Sequence, residues 1–448
     1  MFRTFVNAWK IVDLRKKLLF TALIILIYRI GSALPVPFVD IAMRGDGLFG
    51  EEAAGTFLTY LSMMTGNAFN YGTLFALSIT PYINASIIIQ LLAVAIPYLQ
   101  NLSKEGEEGR KKMNKITRYG AIGLGLLQSI AYYFFIRSQD MLMSDANGKA
   151  FTGFAAVFQA VVVILCYTAG TALVMWLGEQ INEKGIGNGV SMIIFAGIVK
   201  RVPEMASSLY ASATKINDML VTKSAILGVV AAIGATLLVL AFAIAIIIFV
   251  IYVQGAERRI PVQYSKKTVG RKLYGGQSSY LPLKVNQSGV MPVIFATSML
   301  TFFNLIGTAL FKPDTLLGKW SANFGTSPFY YVVFFLLIIG FTFFYSIIQF
   351  HPIEISNNLK TNGGFIPGIR PGRPTSEYIY NTVKRLNLAD ALFLSIVVLV
   401  PTIIGTLTGM QNVWFAGTSV LILTGVCSDL ITQIETQLVA RNQSGFLD

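Results

Sequence analysis

The residue types that usually carry chemistry are scarce in this chain and poorly placed for it. It has two cysteines and one histidine, Cys166, Cys427 and His351, and none has a second Cys or His at the spacing of a zinc or haem site. Both cysteines lie inside apolar runs, so we expect them to be small buried residues. His351 stands where an apolar run ends, and we expect it to be structural. The sequence predicts no metal site and no cofactor.

A glycine-rich stretch, WLGEQINEKGIGNGVSMIIF from Trp176 to Phe195, could suggest a phosphate-binding loop. However, GIGNG lacks the Lys-Ser/Thr pair of a nucleotide loop, and no strand precedes it. We therefore expect a tight turn between two helices and no ATP site.

One cation, Arg370, stands in an unusually restricted backbone, GGFIPGIRPGRPTSEYI. Its neighbours are Pro367, Gly368, Pro371 and Gly372; proline fixes φ and glycine allows a sharp reversal. The pattern predicts a stiff tip that presents the guanidinium, and a solvated surface charge is the plain alternative.

An earlier stretch of the chain interleaves cations with tyrosines. This composition suits contact with RNA phosphates or with an acidic protein surface. The residues are Arg258, Arg259, Lys266, Lys267, Arg271 and Lys272, with Tyr264, Tyr274 and Tyr280.

The amino-acid composition indicates whether the chain is a soluble protein or a membrane protein. Hydrophobic residues make up 54% of the 448 residues and charged residues only 13%, whereas soluble domains carry about 25% charged residues. The chain is therefore predicted to be an integral membrane protein. Its net charge of +13 shows that the few charges are biased to one sign, which calls for either an acidic partner or an electrostatic role at the membrane.

Ten apolar stretches are candidates for membrane spans. They are residues 18–35, 73–98, 116–136, 154–177, 189–202, 225–253, 288–311, 329–350, 388–408 and 413–434. An even number puts both termini on one side, and 25 of the 35 Lys and Arg residues fall there, so both termini are predicted to be cytoplasmic. The basic start of the first span resembles a signal peptide, but Arg29 interrupts the apolar run and no cleavage site follows, so we expect it to be retained.

Two connections between spans have their own character. The outer segment 56–69 is amphipathic but too short to cross a bilayer, and an interfacial helix and a re-entrant segment fit it equally well. The two longest cytoplasmic connections, 254–283 and 351–386, are basic and rich in Gly and Pro. We expect them to be presented to a soluble partner.

Ionisable residues are nearly absent from the span interiors. Ion-coupled transporters and intramembrane enzymes normally keep such residues near the middle of the membrane. Arg29 lies toward the outer end of its span, where it can snorkel or pair. The sequence therefore disfavours a proton relay and an intramembrane catalytic pair.

Two spans instead carry faces that change from apolar to polar along one side. Pro81 and Pro292 are predicted to weaken these two helices. An ordinary helix-packing stripe is the plain alternative, but two such helices could also face each other across an opening. The residues are Ile79, Ile83, Ser86 and Gln90 in the second span, and Asn286, Gln287, Met291, Ile294 and Ser298 in the seventh.

Seven motifs make the chain resemble the bacterial SecY family, whose members are the central subunit of the general protein translocase. They run from the second span to the tenth in the family's order: PYINASIIIQLL, EGEEGRKKMNKITRYG, MWLGEQINEKGIGNGVSMIIFAGI, ERRIPVQY, LPLKVNQSGVMPVIFA, GGFIPGIRPGRPTSEYI and FAGTSVLI.

The resemblance implies an all-α integral membrane protein with ten transmembrane helices around an hourglass pore with a short plug helix. The helices would form two pseudo-symmetric inverted halves, residues 1–203 and 204–448. It further implies a channel for unfolded secretory polypeptides in the bacterial cytoplasmic membrane, which releases apolar segments sideways into the lipid bilayer. Implied partners are the small membrane subunits SecE and SecG, the motor ATPase SecA, the translating ribosome and signal-bearing preproteins.

The resemblance also assigns residues to roles. The implied pore ring is Ile79, Ile83, Ile194, Ile294 and Ile422. The implied plug matches residues 55–70 and includes Phe57, Met63, Met64, Gly66 and Phe69. The implied lateral gate has Asn84 and Gln90 opposite Asn286, Gln287 and Ser298. The implied motor or ribosome contacts are Arg258, Arg259, Arg271, Lys272 and Arg370.

Two other functions stay open on the sequence. A small-solute secondary transporter is the main alternative, because Gly- and Pro-interrupted helices also occur in transporters. An intramembrane enzyme is disfavoured by the missing catalytic pairs, and we expect the chain not to be an enzyme.

Overall fold

The chain is mostly helical in the computed structural model, which describes residues 9–40, 65–138, 141–143, 151, 153–200, 241, 244–264, 267–269, 272–274, 278–310, 327–408 and 416–444. The helices are α1 Val12–Gly31, α2 Thr80–Ala95, α3 Pro97–Lys104, α4 Gly106–Ser138, α5 Phe154–Lys184, α6 Gly189–Lys200, α7 Ile244–Gln254, α8 Met291–Leu310, α9 Pro328–Gln349, α10 Pro352–Thr361, α11 Arg373–Thr408 and α12 Ala416–Ser444. The strands within these ranges are β1 Glu257–Tyr264, β2 Lys267–Val269, β3 Lys272–Tyr274, β4 Ser278–Lys284 and β5 Gly364–Phe365.

Several helices have the length and composition of membrane spans. Three stretches in the described part of the chain are long and apolar enough to cross a membrane: Gly106–Arg137, Phe154–Lys184 and Pro328–Thr361. Shorter apolar helices are Thr80–Ala95, Gly189–Lys200, Ile244–Gln254 and Met291–Leu300. The prediction of a helical chain with apolar helices is confirmed, while the count of ten spans stays a prediction because most of the sixth span lies outside the described residues.

The second predicted span is wrong at its start. Residues 73–79 form turns, and α2 begins only at Thr80, with Pro81 in its first turn. A proline there costs no hydrogen bond, because the first amides of a helix have no partner within the helix. The predicted weakening of the helix by Pro81 is therefore wrong, and the proline instead helps to start α2.

The seventh span needs the same correction. Helix α8 begins at Met291, so Pro292 also stands in a first turn, and Asn286 and Gln287 lie in the non-helical segment before the helix. The regular helical face predicted for these residues therefore begins only with Met291.

The ninth and tenth predicted spans are parts of longer helices. Helix α11 has 36 residues and starts at Arg373, 15 residues before the predicted span. Helix α12 has 29 residues and continues to Ser444. The connection 351–386 is thus largely helical, because the apolar run that predicts a span does not mark where the hydrogen-bonded helix begins.

The two basic connections are joined by a small sheet, so the all-α prediction is wrong at this point. Strand β1 pairs antiparallel with β4 and with β5, and the strand order is β4-β1-β5. Ile260 and Val262 of β1 are buried in a small core that also contains Ile366 and Ile379. The sheet and this core therefore hold the two loops together as one unit.

A single larger apolar core joins the helices. It contains buried residues from α1, α2, α4, α5, α6, α7, α8, α9, α11 and α12. The residues that the sequence places in different spans therefore meet in one packed interior.

Candidate functional site

The five isoleucines of the predicted ring all lie in the larger apolar core, and each is at most 5% exposed. They come from the start of α2 and from α6, α8 and α12: Ile79, Ile83, Ile194, Ile294 and Ile422. Helix α2 contacts α8, and α6 contacts α12. Side chains that are more than 300 positions apart in the sequence thus enter the same apolar cluster.

Ile79 differs from the other members because it stands at the N-terminal boundary of α2. Gly178 of α5 has no side chain, and a Cβ placed there would lie 3.4 Å from Cδ1 of Ile79. The same point lies 3.4 Å from Cδ1 of Ile193. Ile79 therefore fills the gap left by a glycine between α5 and α6.

Sequence analysis missed one isoleucine on α2. Ile87 follows Ile83 by one helical turn, is buried and belongs to the same core. The i, i+4 spacing from Ile79 through Ile83 is the signal that could have identified it.

Four residues of the predicted gate each have one buried side-chain atom without a hydrogen-bond partner; Asn84 and Asn286 are buried, and Gln90 and Gln287 are half-buried. Within the described residues, Asn84 Nδ2, Gln90 Oε1, Asn286 Oδ1 and Gln287 Oε1 have no partner. Gln90 does use its Nε2, which donates to Ser86 Oγ at 3.1 Å. A buried polar atom is normally hydrogen-bonded, so these four atoms distinguish this region from the apolar core around it.

Ser298 is the fifth residue of the predicted gate and lies on α8. It is 3% exposed, and α8 contacts α2, the helix that carries Asn84 and Gln90. The structure thus brings the two predicted gate helices together, although two of the five residues precede their helix.

The predicted plug is described only at its end. Phe57, Met63 and Met64 lie outside the described residues, whereas Gly66 and Phe69 lie in a run of turns over 65–79, which we call the anchored turn. Thr65, Ala68 and Phe69 are buried in the protein. For residues 65–69, burial by protein favours a re-entrant segment over a helix lying on the outer surface, and these residues form turns instead of the expected plug helix.

Two cations contact the start of the anchored turn. Lys200 Nζ at the end of α6 donates to the Gly66 carbonyl oxygen at 2.8 Å. Arg29 Nη1 of α1 lies 3.2 Å from the point where a Cβ on Gly66 would be. Gly66 has φ +63°, a conformation that favours glycine, and a Cβ there would lie only 3.0 Å from the Gly197 carbonyl oxygen, so a side chain would be strained.

Two tyrosines hold the rest of the anchored turn. The Tyr132 hydroxyl of α4 donates to the Phe69 carbonyl oxygen at 2.5 Å, and the two rings lie 4.5 Å apart. The Tyr167 hydroxyl of α5 donates to the Gly72 carbonyl oxygen at 3.0 Å. The turn is therefore fixed to α1, α4, α5 and α6.

The glycine-rich stretch is a helix-to-helix turn, as the sequence predicts. Side chains from three helices accept hydrogen bonds from its amides: Thr21 Oγ1 from Ile186, Asn182 Oδ1 from Gly189 and Gln433 Oε1 from Gly187, at 2.8–3.0 Å. A Cβ on Gly189 would collide with the Gly178 carbonyl oxygen. The glycines thus allow α5 and α6 to approach closely.

The basic loops present exposed cations on the small sheet. Arg258 and Arg259 are exposed on β1, opposite Leu283 and Pro282 of β4. Lys272 belongs to the short strand β3, and Arg271 lies outside the described residues.

Arg370 is exposed on a tip whose ends are fixed. Thr375 Oγ1 donates to the Arg370 carbonyl oxygen at 2.8 Å, and Ser356 Oγ donates to the Gly372 carbonyl oxygen at 2.7 Å. Gly368 and Gly372 have φ +82° and +103°. These contacts give the arginine tip, residues 367–372, the restricted backbone that the sequence predicts.

Comparison with known proteins gives a consistent family. The SecY family profile matches residues 73–431. The chain is 41% identical over 467 aligned positions to "Protein translocase subunit SecY" of Mycobacterium tuberculosis (strain ATCC 25618 / H37Rv), with all of both chains covered.

Solved structures share the fold. One, described as a SecY protein whose plug domain stabilises the closed state of the translocation channel, has a TM-score of 0.60 at 17% identity and covers 95% of this chain and 93% of its own. Another, Sec61 in the canine ribosome-channel complex, has a TM-score of 0.56 at 16% identity, and the match covers 95% of this chain and 93% of the Sec61 chain.

We predict that Tyr132→Phe loosens the anchored turn, because the ring is kept and the hydrogen bond to Phe69 is lost. The free energy of local opening should fall by about 1 kcal/mol. A cysteine introduced as Ala68→Cys, with Cys166 and Cys427 replaced by alanine, should then react roughly fivefold faster with maleimide. Tyr133→Phe, a change at the buried neighbour, is the control, and equal rates in the two variants would contradict the assignment.

Proposed function

This chain belongs to the SecY family of protein translocase subunits, and from that membership we propose that it forms a channel for unfolded secretory polypeptides. The observation that carries the proposal is the meeting of isoleucines from α2, α6, α8 and α12 in one buried apolar cluster. The comparisons support a protein translocation channel and give no support to the small-solute transporter.

The isoleucine ring acts as the seal of this channel. An ion that enters a narrow apolar constriction must shed water without gaining new ligands, which costs several kcal/mol. Branched apolar side chains make no hydrogen bonds to a passing chain, so they close around it without reading its sequence. The seal therefore depends on size and hydrophobicity.

The plug is the second barrier, with the anchored turn as its fixed end. The hydrogen bonds of Gly66, Phe69 and Gly72 with three helices, α6, α4 and α5, support this role. Phe57, Met63 and Met64, the other residues of the proposed plug, lie outside the described residues.

The region between α2 and α8 acts as the lateral gate. Its unmet buried polar groups lower the cost of separating the helices, because water would satisfy those groups once the gate opens. A Leu or Ile gains about 0.3–0.6 kcal/mol on entering the bilayer centre. Segments with enough apolar residues therefore leave sideways, and other segments pass across the membrane.

We place ten spans in two halves, residues 1–203 and 204–448, with both termini in the bacterial cytoplasm. The excess of Lys and Arg on the terminal side supports this orientation. The joined loops then lie in the cytoplasm, where Arg258, Arg259 and the arginine tip are available to partners.

The partners follow from this orientation. The exposed cations suit either the RNA and acidic surfaces of a translating ribosome or the acidic face of the motor SecA. Ribosome-bound channels among the structural neighbours support the first of these partners. Small membrane subunits of the SecE and SecG type would cover exposed helix faces. Because energy comes from the motor or ribosome, the chain needs no catalytic residue of its own.

We predict that the double substitution Ile83→Ser with Ile294→Ser makes the resting channel leak ions. If the barrier falls by about 1.4 kcal/mol, conductance without substrate rises about tenfold. The measurement is single-channel recording in planar bilayers. The matched control is Ile88→Ser with Met299→Ser, which changes exposed residues on the same two helices. The ring variant is also measured with residues 55–64 deleted, so that the plug does not mask a leak. If the conductance of the ring variant stays unchanged in both cases, these isoleucines are not part of the seal.

Cysteines introduced as Asn84→Cys and Ser298→Cys should crosslink in the closed channel when Cys166 and Cys427 are replaced by alanine. Locking the two helices should then block secretion and the insertion of apolar segments, because both need the gate to widen. Asn84→Cys with Met299→Cys is the control, since Met299 is exposed on α8. Full translocation by completely crosslinked protein would show that the gate lies elsewhere.

Arg370→Glu should abolish motor-driven export while leaving the channel folded, because an exposed loop charge contributes about 0.5 kcal/mol or less to stability. Arg370→Lys should rescue only in part, since it keeps the charge but loses the planar five-donor group. The assay is ATP-dependent preprotein uptake by vesicles with equal amounts of each variant. Lys360→Glu, an exposed charge in the same loop, is the control, and normal uptake by Arg370→Glu would make Arg370 an ordinary surface cation.

A further inference from the structure

Asp390 is a buried carboxylate that the proposed function does not use. It lies on α11 within the ninth predicted span and is 0% exposed. A carboxylate in such a place is expensive to desolvate, and ionisable residues inside membrane spans generally serve a function with a specific partner.

The partner of Asp390 is Ser288, in the turn that leads into α8. The Ser288 hydroxyl donates to Asp390 Oδ2, and the Ser288 backbone amide interacts with the same carboxylate. Asp390 Oδ1 has no hydrogen-bond partner among the described residues. Ser288 stands three residues before Met291, so the Asp390 carboxyl group lies close to the start of α8.

Helix α11 connects this contact to the arginine tip. The helix begins at Arg373, directly after the tip, and runs without a break past Asp390. Seventeen residues at 1.5 Å each make a rod of about 26 Å between the two points. One turn before Asp390, Asn387 Nδ2 donates to Ser346 Oγ of α9 at 2.6 Å, so the rod also has a contact with the neighbouring helix.

We propose that Asp390 is a positioning residue that couples the arginine tip to the start of α8 through its hydrogen bond to Ser288. The inference rests on the proposed function, in which the tip receives the motor and α8 forms one side of the gate. A displacement of the tip moves α11 along its axis, and the buried carboxylate carries the start of α8 with it. A buried carboxyl group suits this task because breaking its bond to Ser288 leaves a buried polar group without a partner, which is costly.

The test compares Ser288→Ala, Asp390→Asn and the double variant with Ser395→Ala. Ser395 is a matched control because it is buried on α11 and its hydroxyl donates to its own helix, at Ala391 O. We measure motor-driven uptake of a preprotein, the affinity of the motor for the vesicles, and insertion of the channel. Ser288→Ala should lower the uptake rate about tenfold, the effect of leaving one buried acceptor without its hydrogen bond, with motor affinity unchanged.

Rescue and non-additivity separate coupling from a merely structural role. Ser288→Thr keeps the hydroxyl and should retain most of the uptake rate. Asp390→Asn keeps an acceptor, so its uptake rate should fall less than that of Ser288→Ala. The double variant should take up preprotein almost as fast as Ser288→Ala alone, because the same hydrogen bond is already lost.

The proposal is overturned if Ser288→Ala takes up preprotein as fast as Ser395→Ala, or if motor affinity falls as much as uptake does. If the Ser288→Ala channel does not insert into the membrane, the uptake rate and motor affinity of Asp390→Asn are compared with those of Ser395→Ala instead. Failure of the unsubstituted protein to take up preprotein would count against the proposed channel itself, so the two failures are distinguishable.

Discussion

A passage for polypeptides must hold back ions when it is empty and must bind nothing tightly when it is occupied. Polar or charged walls fail the second demand, and a wide opening fails the first. Branched apolar side chains at a narrow point meet both, because ions lose hydration there and a passing chain finds no hydrogen-bonding partner. We propose that the five buried isoleucines, which lie in one apolar cluster, meet this constraint.

The surrounding elements fix the helices that carry the isoleucines. Glycines at 178 and 189 let α5 and α6 approach closely, and Ile79 fills the space beside Gly178. The anchored turn ends where α2 begins, so the hydrogen bonds from Tyr132 and Tyr167 also set the position of Ile83. The proposed gate region differs from these elements because it contains buried side-chain polar atoms from Asn84, Gln90, Asn286 and Gln287.

Local patterns predicted the parts of this protein that depend on nearby residues. The turn at GIGNG and the restricted tip around Arg370 follow from glycine and proline, whose backbone preferences need no distant partner. The sheet β4-β1-β5 could not be predicted, because β5 lies about 100 residues from β1 and its pairing is a tertiary property. The bond between Ser288 and Asp390 was missed for the same reason.

Helix starts were the weakest local prediction. Hydropathy placed the second and seventh spans at 73 and 288, but Pro81 and Pro292 mark first turns, and residues before them are buried without being helical. Most of residues 65–79 are buried by neighbouring protein, and apolar residues are expected both where protein and where lipid covers a segment. A prediction from hydropathy alone cannot separate these two causes.

The most direct test of the channel is a photocrosslink from the isoleucine ring to a secretory chain arrested during passage. A photoreactive amino acid replaces Ile83 in one preparation and the exposed Ile88 in another. The account predicts an adduct with the arrested chain from position 83 and little from position 88. No adduct at position 83 while the chain is protected inside the vesicle would contradict a polypeptide path through the ring.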